Sequence, residues 1–184
     1  MNKHLKNFAL TLSAFIISLS ASAQETKMVG GAAMYPSKNI IENAVNSKDH
    51  TTLVAAVTAA GLVETLQGSG PFTVFAPTNE AFAMLPAGTV ETLLKPENKA
   101  ALTNVLTYHV VAGKIDSKTL VGLIQKNNGK YMAKAVNGGM LTFTLKNNAV
   151  MITDEKGGMA KVTIADVMQK NGVIHVIDHV VLPK

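Results

Sequence analysis

The chain has 184 residues and a formal net charge of +5, and its 17 basic residues are all lysine because no arginine occurs. Hydrophobic residues make up 47% and charged residues 16%, a composition typical of a folded domain rather than a disordered chain. The sequence contains no cysteine, which excludes disulfides, thiol nucleophiles and cysteine-based zinc sites. Without arginine, the side chain that reads phosphate and guanine bidentately is missing, so the positive charge does not indicate a nucleic-acid partner.

The first 23 residues have the three parts of a secretory signal peptide. Lys3 and Lys6 lie in a basic start, residues 8–19 are mainly apolar, and residues 21–23 read Ala-Ser-Ala, the small-x-small pattern of a cleavage site. The apolar run is shorter than the roughly 20 residues that a membrane-spanning helix needs. The sequence therefore predicts an exported protein, at the cell surface, outside the cell or in the periplasm, with no transmembrane segment.

After the cleavage site, residues 24–35 are small and polar and are predicted to form a flexible leader. Apolar periodicity, caps and turn residues then predict alternating elements from Pro36 onward. The predicted helices lie near residues 36–45, 51–60, 62–66, 79–85, 89–94, 97–107 and 118–126. The predicted strands lie near residues 72–76, 108–112, 132–136, 140–146, 149–153, 159–165 and 173–182.

The C-terminal third has the pattern of an antiparallel meander. Asn147-Asn148 and Gly157-Gly158 are turn residues between strands, and residues 141–145 alternate apolar with polar side chains, which indicates one buried and one wet face. Helices followed by a meander predict an α+β fold with segregated layers. No repeat or linker divides the chain, so we expect one domain.

The sequence offers no clear catalytic or metal-binding set. His175 and His179 have the H-x-x-x-H spacing of a zinc helix, but their apolar, β-branched neighbours predict a strand. Four residues along a strand span about 13 Å, too far for one ion to be bound by both rings. Ser69 lies between two glycines but lacks the spacing of a nucleophile elbow. We therefore expect no metal and no cofactor.

Three segments together resemble a known family. Residues 73–82 (TVFAPTNEAF) resemble the first signature box of the fasciclin domain, Tyr108-His109 resembles its central Tyr-His motif, and residues 172–183 (GVIHVIDHVVLP) resemble its second box. Their order and spacing match as well. The chain is identified as a member of this family, a single-domain, secreted, bacterial fasciclin-like protein with its domain over residues 36–184.

The resemblance implies a β-sandwich or wedge with helices packed around it. It also implies a non-enzymatic module for cell adhesion, matrix or surface interaction, whose partner is a cell-surface or matrix protein or a polysaccharide. Because some members of the family bind pigments or lipids, a carrier of a small apolar ligand is the alternative function. A hydrolase is a third hypothesis that no motif supports.

The resemblance also implies site residues. Asp166 and Val167 correspond to an Asp-Ile pair proposed to contact integrins in animal members, and Tyr108 and His109 are further candidate binding residues. Asp166 also precedes a predicted short helix over residues 168–170, which it could cap instead. Structural roles in the motifs are implied for Phe75, Pro77, Thr78, Asn79, His175 and Asp178.

A structural role for His109 makes a demand on its surroundings. A buried neutral imidazole must form hydrogen bonds, and a polar group of the first box is the expected partner. Asn79 of that box is expected to be structural as well.

The signal-peptide prediction can be checked by mass. We expect exported protein to have lost residues 1–23 and to begin at Gln24, since the small-x-small site ends at Ala23. Intact-mass measurement of secreted protein should show this loss. Exported material that keeps its first 23 residues would contradict the prediction.

Overall fold

Residues 25–184, the part of the chain that this computed structural model describes, form nine strands and seven α-helices. The predicted signal peptide lies outside the described residues. The strands are β1 Lys27–Val29, β2 Ala32–Met34, β3 Phe72–Pro77, β4 Val110–Ala112, β5 Lys130–Lys134, β6 Met140–Lys146, β7 Ala149–Thr153, β8 Met159–Gln169 and β9 Gly172–Ile177. The helices are α1 Ile40–Ala44, α2 Thr51–Ala60, α3 Val63–Gln67, α4 Asn79–Ala83, α5 Thr89–Leu93, α6 Lys99–Tyr108 and α7 Ser117–Lys126.

Seven strands form one mixed sheet in the order β4-β3-β9-β8-β7-β6-β5. Strands β3 and β9 pair in parallel, and every other neighbouring pair in this sheet is antiparallel. A bridge between Val111 and Ala135 joins the two end strands, and the Val136 N–H donates to the Val110 carbonyl at 2.8 Å. The sheet is therefore curled almost into a barrel, and the predicted α+β class is confirmed.

Two hydrophobic cores lie on opposite faces of the central strands. Val74 and Ala76 of β3 face a core formed with α1, α2, α3, α4 and α6, whereas Phe75 faces the interior of the curled sheet. That second core is filled by the apolar side of the meander and by Leu120 and Ile124 of α7. Because both faces of β3 and β9 are covered, their sequences are nearly continuous in apolar residues, as buried parallel strands require.

Local sequence signals explain several helix ends. Asn39 and Glu42 form a capping box at α1, and the Asp116 carboxylate accepts the Thr119 N–H at the start of α7. Helix α2 ends at Gly61, which has φ of +73° and is the left-handed residue expected there. These three signals place helices where the apolar periodicity predicts them.

The prediction of a flexible leader over residues 24–35 is wrong for most of that segment. Strands β1 and β2 form an antiparallel hairpin there, and Gly30 and Gly31 adopt positive φ at its turn. Val29 and Met34 are 1% and 2% exposed and belong to the core under the helices. The small residues that resemble a linker are thus the turn of a short hairpin that contributes to the core.

The backbones of β3 and β9 leave no space for a side chain at the start of β9. A Cβ atom on Gly172 would lie 2.1 Å from the Phe72 carbonyl oxygen, which is backbone and cannot rotate away. The Phe72 N–H also donates to the Asn171 carbonyl at 3.0 Å. Glycine at position 172 is therefore a condition for the β3–β9 pairing.

We expect Gly172→Ala to lower the free energy of unfolding by about 2–3 kcal/mol, because the two central strands must move apart to admit the methyl group. Gly122→Ala is the matched control: Gly122 lies inside α7, with open space around its Cβ position, so alanine should stabilise by up to about 1 kcal/mol. Urea denaturation measures both. Equal stability of the two variants would contradict the requirement for glycine at position 172.

Candidate functional site

The first fasciclin-like box joins β3 to two helices. The Thr78 hydroxyl accepts the Ala81 N–H at 3.2 Å and caps α4. The Asn79 side-chain oxygen accepts the Thr52 N–H at 3.0 Å, and its amide donates to the Lys48 carbonyl at 2.8 Å. Asn79 therefore satisfies an N–H group in the first turn of α2, which is otherwise left without an acceptor. Its contacts in the structure are those of a structural residue.

Tyr108 of the central motif is fully buried. Its hydroxyl donates to the Met140 carbonyl at 2.8 Å and accepts the Glu155 N–H at 3.1 Å, so it connects two hairpins of the meander. Burial raises the pKa of Tyr108 to about 12, which keeps the phenol neutral. Gly139 lies against the ring, and a Cβ atom there would approach Tyr108 to 2.8 Å. The side chain is thus part of the core and lies away from the surface.

His109 is 2% exposed and uses both ring nitrogens within the fold. Its Nδ1 lies 2.8 Å from the Val105 carbonyl, and its Nε2 accepts the Val181 N–H at 3.2 Å. This pattern requires the neutral tautomer with the proton on Nδ1. Burial lowers the pKa of His109 to about 4, and the Val105 carbonyl opposes this shift.

The prediction that a polar side chain of the first box bonds to His109 is wrong. The imidazole bonds instead to α6 and to the chain after β9, and the hydrogen bond between the first box and residue 109 is one of backbone groups. The Phe75 N–H donates to the His109 carbonyl at 2.9 Å. Phe75 itself is buried, with its ring centroid 5.2 Å from that of Phe143.

His175 occupies a comparable position in the second box. It is fully buried on β9, where Nε2 lies 2.8 Å from the Ile115 carbonyl and Nδ1 accepts the Asp166 N–H at 3.3 Å. Because Nδ1 accepts an N–H, the ring is neutral with its proton on Nε2, and desolvation lowers its pKa. His179 lies beyond the strand on an exposed segment, and its Nδ1 is 2.8 Å from the Asp178 carboxylate. Within residues 25–184, no group of three potential metal ligands is brought together.

Asp166 and Val167 lie in β8, so the predicted helix over residues 168–170 is wrong. The irregular register of β8 against β9 gives Asp166 φ of +57° and turns its carboxylate toward α7. That carboxylate accepts the Ser117 N–H at 2.6 Å and also the Ser117 hydroxyl. The interpretation of Asp166 as the cap of a helix over residues 168–170 is therefore wrong. Its carboxylate instead supports the first residue of α7, whose N-cap is Asp116, almost fifty residues earlier in the chain.

Val167 has a different environment from its neighbour. Its side chain is fully buried in the core under the helices, opposite Ile174 of β9. It lies away from the surface, whereas Asp166 is half-buried. Of the four candidate binding residues, only Asp166 has a partly exposed side chain.

Pro77 and Asp178 lie at the ends of the two paired boxes. Pro77 is the last residue of β3 and pairs with Ile177. The Asp178 carboxylate accepts the Lys161 N–H at 2.7 Å and so ties the end of β9 to β8.

Sequence reasoning missed several buried polar residues, among them Asn171 and Asp154. Asn171, 6% exposed, accepts the Ile40 N–H at 3.1 Å and donates to the Leu66 and Gly68 carbonyls at 2.7 and 2.8 Å. Asp154, in the turn between β7 and β8, is 8% exposed and accepts N–H groups of its own turn and of Leu182. The only signal for Asn171 was an Asn-Gly turn before a strand, which predicts the turn but not its distant partners.

An apolar cavity of about 60 Å³ lies between the helices and the central strands. His50 lines it, with Nδ1 bonded to the Ser47 hydroxyl and Nε2 without a hydrogen bond of acceptable geometry in the described part of the chain. Burial lowers the pKa of His50, opposed in part by the backbone of Ala76. The cavity is less than half of the ~150 Å³ that accommodates benzene in an engineered protein core.

The fold and motifs agree with comparisons to known proteins. The model of the fasciclin domain matches residues 48–183, so the chain belongs to the fasciclin family. Protein sll1483 of Synechocystis sp. is 46% identical over 97% of this chain and 92% of its own length, and immunogenic protein MPB70 of Mycobacterium bovis is 33% identical over 95% and 92%. Transforming growth factor-beta-induced protein ig-h3 of Sus scrofa is 40% identical over 71% of this chain, which spans 17% of that protein.

A solved structure supports the fold. A FAS1 domain pair from the insect cell adhesion molecule Fasciclin I superposes with a TM-score of 0.70 over 79% of this chain and 51% of that chain. The two share 17% identity, so the likeness is one of fold. In the described residues, no helix is long and apolar enough to cross a membrane.

The buried neutral state of His109 predicts a dependence of stability on pH. Between the unfolded pKa of about 6.5 and the folded pKa of about 4, the unfolded chain binds a proton that the folded chain excludes. Stability should therefore fall as the pH drops through this window, with about 3 kcal/mol from His109 alone. Urea denaturation from pH 7.5 to 4.5 should show a shallower loss in His109→Gln than in the parent.

His179→Gln is the control for this measurement, because His179 lies on an exposed segment. It should retain the parental dependence on pH. A His109→Gln protein that loses stability with acid as steeply as the parent would contradict the account of a neutral buried ring.

Proposed function

We propose that this protein is an exported, non-enzymatic fasciclin-type module for adhesion, matrix or surface interaction. The observation that carries the proposal is that the polar side chains of its motifs are bonded within the fold. His109 and His175 use both ring nitrogens, and Asn79 is bonded to the start of α2. Groups engaged in this way hold the scaffold and are poor candidates for acid–base or nucleophilic roles.

The comparisons support this proposal. The fold is similar to that of domains from an insect cell adhesion molecule, and the family is shared with immunogenic protein MPB70. The partner is a cell-surface or matrix protein or a polysaccharide, and the function needs no cofactor. The protein acts at the cell surface, outside the cell or in the periplasm.

A carrier of a small apolar ligand, such as a lipid or pigment, is the second candidate. The apolar cavity beside His50 favours it, because Nε2 could bond to a polar group of a guest. Its volume of about 60 Å³ requires the helices to move before a lipid or pigment fits, which is why adhesion is the leading proposal. Organic extraction of purified protein, followed by mass spectrometry, tests the carrier function.

The adhesion proposal is tested by incubating purified protein of residues 24–184 with envelope and matrix fractions of the producing organism. We expect saturable retention by at least one fraction, and no retention of heat-unfolded protein. Absence of retention by every fraction, together with a bound lipid or pigment in the extract, would replace adhesion by the carrier function.

Variants at Asp166 separate a structural role from a partner contact. Asp166→Asn should keep both the fold and the retention, because asparagine tolerates positive φ and its oxygen can accept the Ser117 N–H. Asp166→Ala loses the cap and strains the backbone, so we expect a loss of about 1–2 kcal/mol. Melting and retention are measured for both.

Asp166→Gly is the matched control, because it relieves the strain of positive φ while still removing the cap. Its stability should lie between those of the other two variants. If Asp166→Asn melts like the parent but is no longer retained, the negative charge itself binds the partner.

A further inference from the structure

Strands β5, β6 and β7 and the first part of β8, residues 159–163, present an outer face that no helix covers in the described part of the chain. Alternation along β5 to β8 directs one set of side chains into the core and the other set outward. On β6, Leu141 and Phe143 are buried, whereas Thr142 and Thr144 between and after them are half-buried on the other side. We call this outward surface the meander face.

Two rows of side chains cross the meander face. The strand register aligns Met132, Thr142, Thr153 and Met159 in the first row, one residue from each strand from β5 to β8. Each row spans three strand spacings, or about 14 Å. Its centre is thus a pair of neighbouring threonine hydroxyls with a methionine at each end.

The second row lies two residues further along each strand. It aligns Lys130, Thr144, Met151 and Lys161, so that a hydroxyl and a thioether lie between two ammonium groups. Methionine and threonine side chains together provide adaptable apolar contact and hydrogen-bonding groups on one surface.

The meander face is positively charged. Lys130, Lys134, Lys146 and Lys161 are exposed and point outward, and the outward positions of the four strands contain no acidic residue. None of these ammonium groups is paired with a carboxylate within residues 25–184. Such a surface attracts an anionic partner.

Two carboxylates lie at its margin, and both are bonded to backbone. Glu155 accepts the Met140 N–H at 3.0 Å and the Lys184 N–H, and Asp178 accepts the Lys161 N–H. These bonds hold the two carboxylates at the margin, so the positively charged surface ends there. The centre of the face remains free of negative charge.

The side chains of the meander face favour a polysaccharide over a membrane. Segments that bind lipid surfaces insert Trp, Phe or Leu into the interface, and the two rows contain none of these residues. Threonine hydroxyls can both donate to and accept from sugar hydroxyls, and lysine can pair with carboxylate or sulfate groups. The charge complements a polymer that carries such groups along its length.

We propose that the meander face binds an anionic polysaccharide, with the lysines pairing with its acidic groups and the threonines bonding to its hydroxyls. This inference rests on the proposed function and names the surface and the partner chemistry for it. Carboxylated and sulfated polymers share the required negative charge.

The test measures binding of the purified protein to immobilised alginate, dextran sulfate and neutral dextran. We expect binding to at least one anionic polymer, none to dextran, and weakening with added salt, because exposed ion pairs are screened. Replacing the four lysines together by glutamine should raise Kd about tenfold, since four surface ion pairs of modest strength are lost.

The matched control removes the same charge elsewhere. Lys95, Lys99, Lys118 and Lys126 are exposed outside the meander face, and their joint replacement by glutamine should leave Kd nearly unchanged. Thr144→Glu, which places a negative charge between Lys130 and Met151, should weaken binding as a single change. Melting curves confirm that each variant is folded.

Three outcomes would overturn the inference: no binding to either anionic polymer, equal weakening by the two lysine sets, or stronger binding to anionic lipid vesicles than to either polymer. Retention by envelope fractions is measured on the same variants. If the variant with all four meander-face lysines replaced is retained as well as the parent, this inference is wrong but the adhesion function still stands. If the parent protein itself is retained by no fraction, the adhesion function is refuted instead.

Discussion

The parallel pairing of β3 with β9 joins residues one hundred positions apart, from Phe72 against Gly172 to Pro77 against Ile177. This pair lies at the boundary between the two cores, and its alternating side chains contribute to both. Helices pack on one face, and the curled meander with α7 closes over the other. Parallel strands cannot be joined by a tight turn, so the chain between them builds most of the fold before β9 completes the sheet. The two fasciclin-like boxes are therefore the two halves of one structural element.

Three polar side chains bond to helices that are far from them in the sequence and so connect those helices to the β3–β9 region. Asn79, Asp166 and Asn171 each accept an N–H from the first turn of a helix that lies elsewhere in the chain. These bonds satisfy N–H groups in the first turn, which have no acceptor within their own helix. Of these three side chains, Asp166 is the one that the family resemblance marks as a candidate binding residue. Their long-range bonds explain why structural residues of this fold can be mistaken for functional ones.

Local signals were sufficient for much of the fold. The helix cap at Asp116, the glycine end of α2 and the alternation along β6 predict those elements, because each depends on residues within a few positions. The partners of β3 and of Asp166 could not be predicted in this way, since register over many residues leaves no local pattern. The sequence around Asp166 predicts a helix start for the same reason, whereas the residue has a left-handed conformation inside β8. The two-glycine hairpin was missed because its three-residue strands are too short for alternation to be recognised.

The place of β9 in the chain has a consequence for the order of assembly. Strand β9 lies between β3 and β8 but follows both in the sequence, so these two strands have no common neighbour until residue 177 has left the ribosome. Non-local contacts of this kind slow folding, because a long loop must close before they form. A nascent chain that lacks β9 leaves the backbone edges of both β3 and β8 without a partner strand. Such a chain is poorly able to complete its fold before β9 is available for pairing.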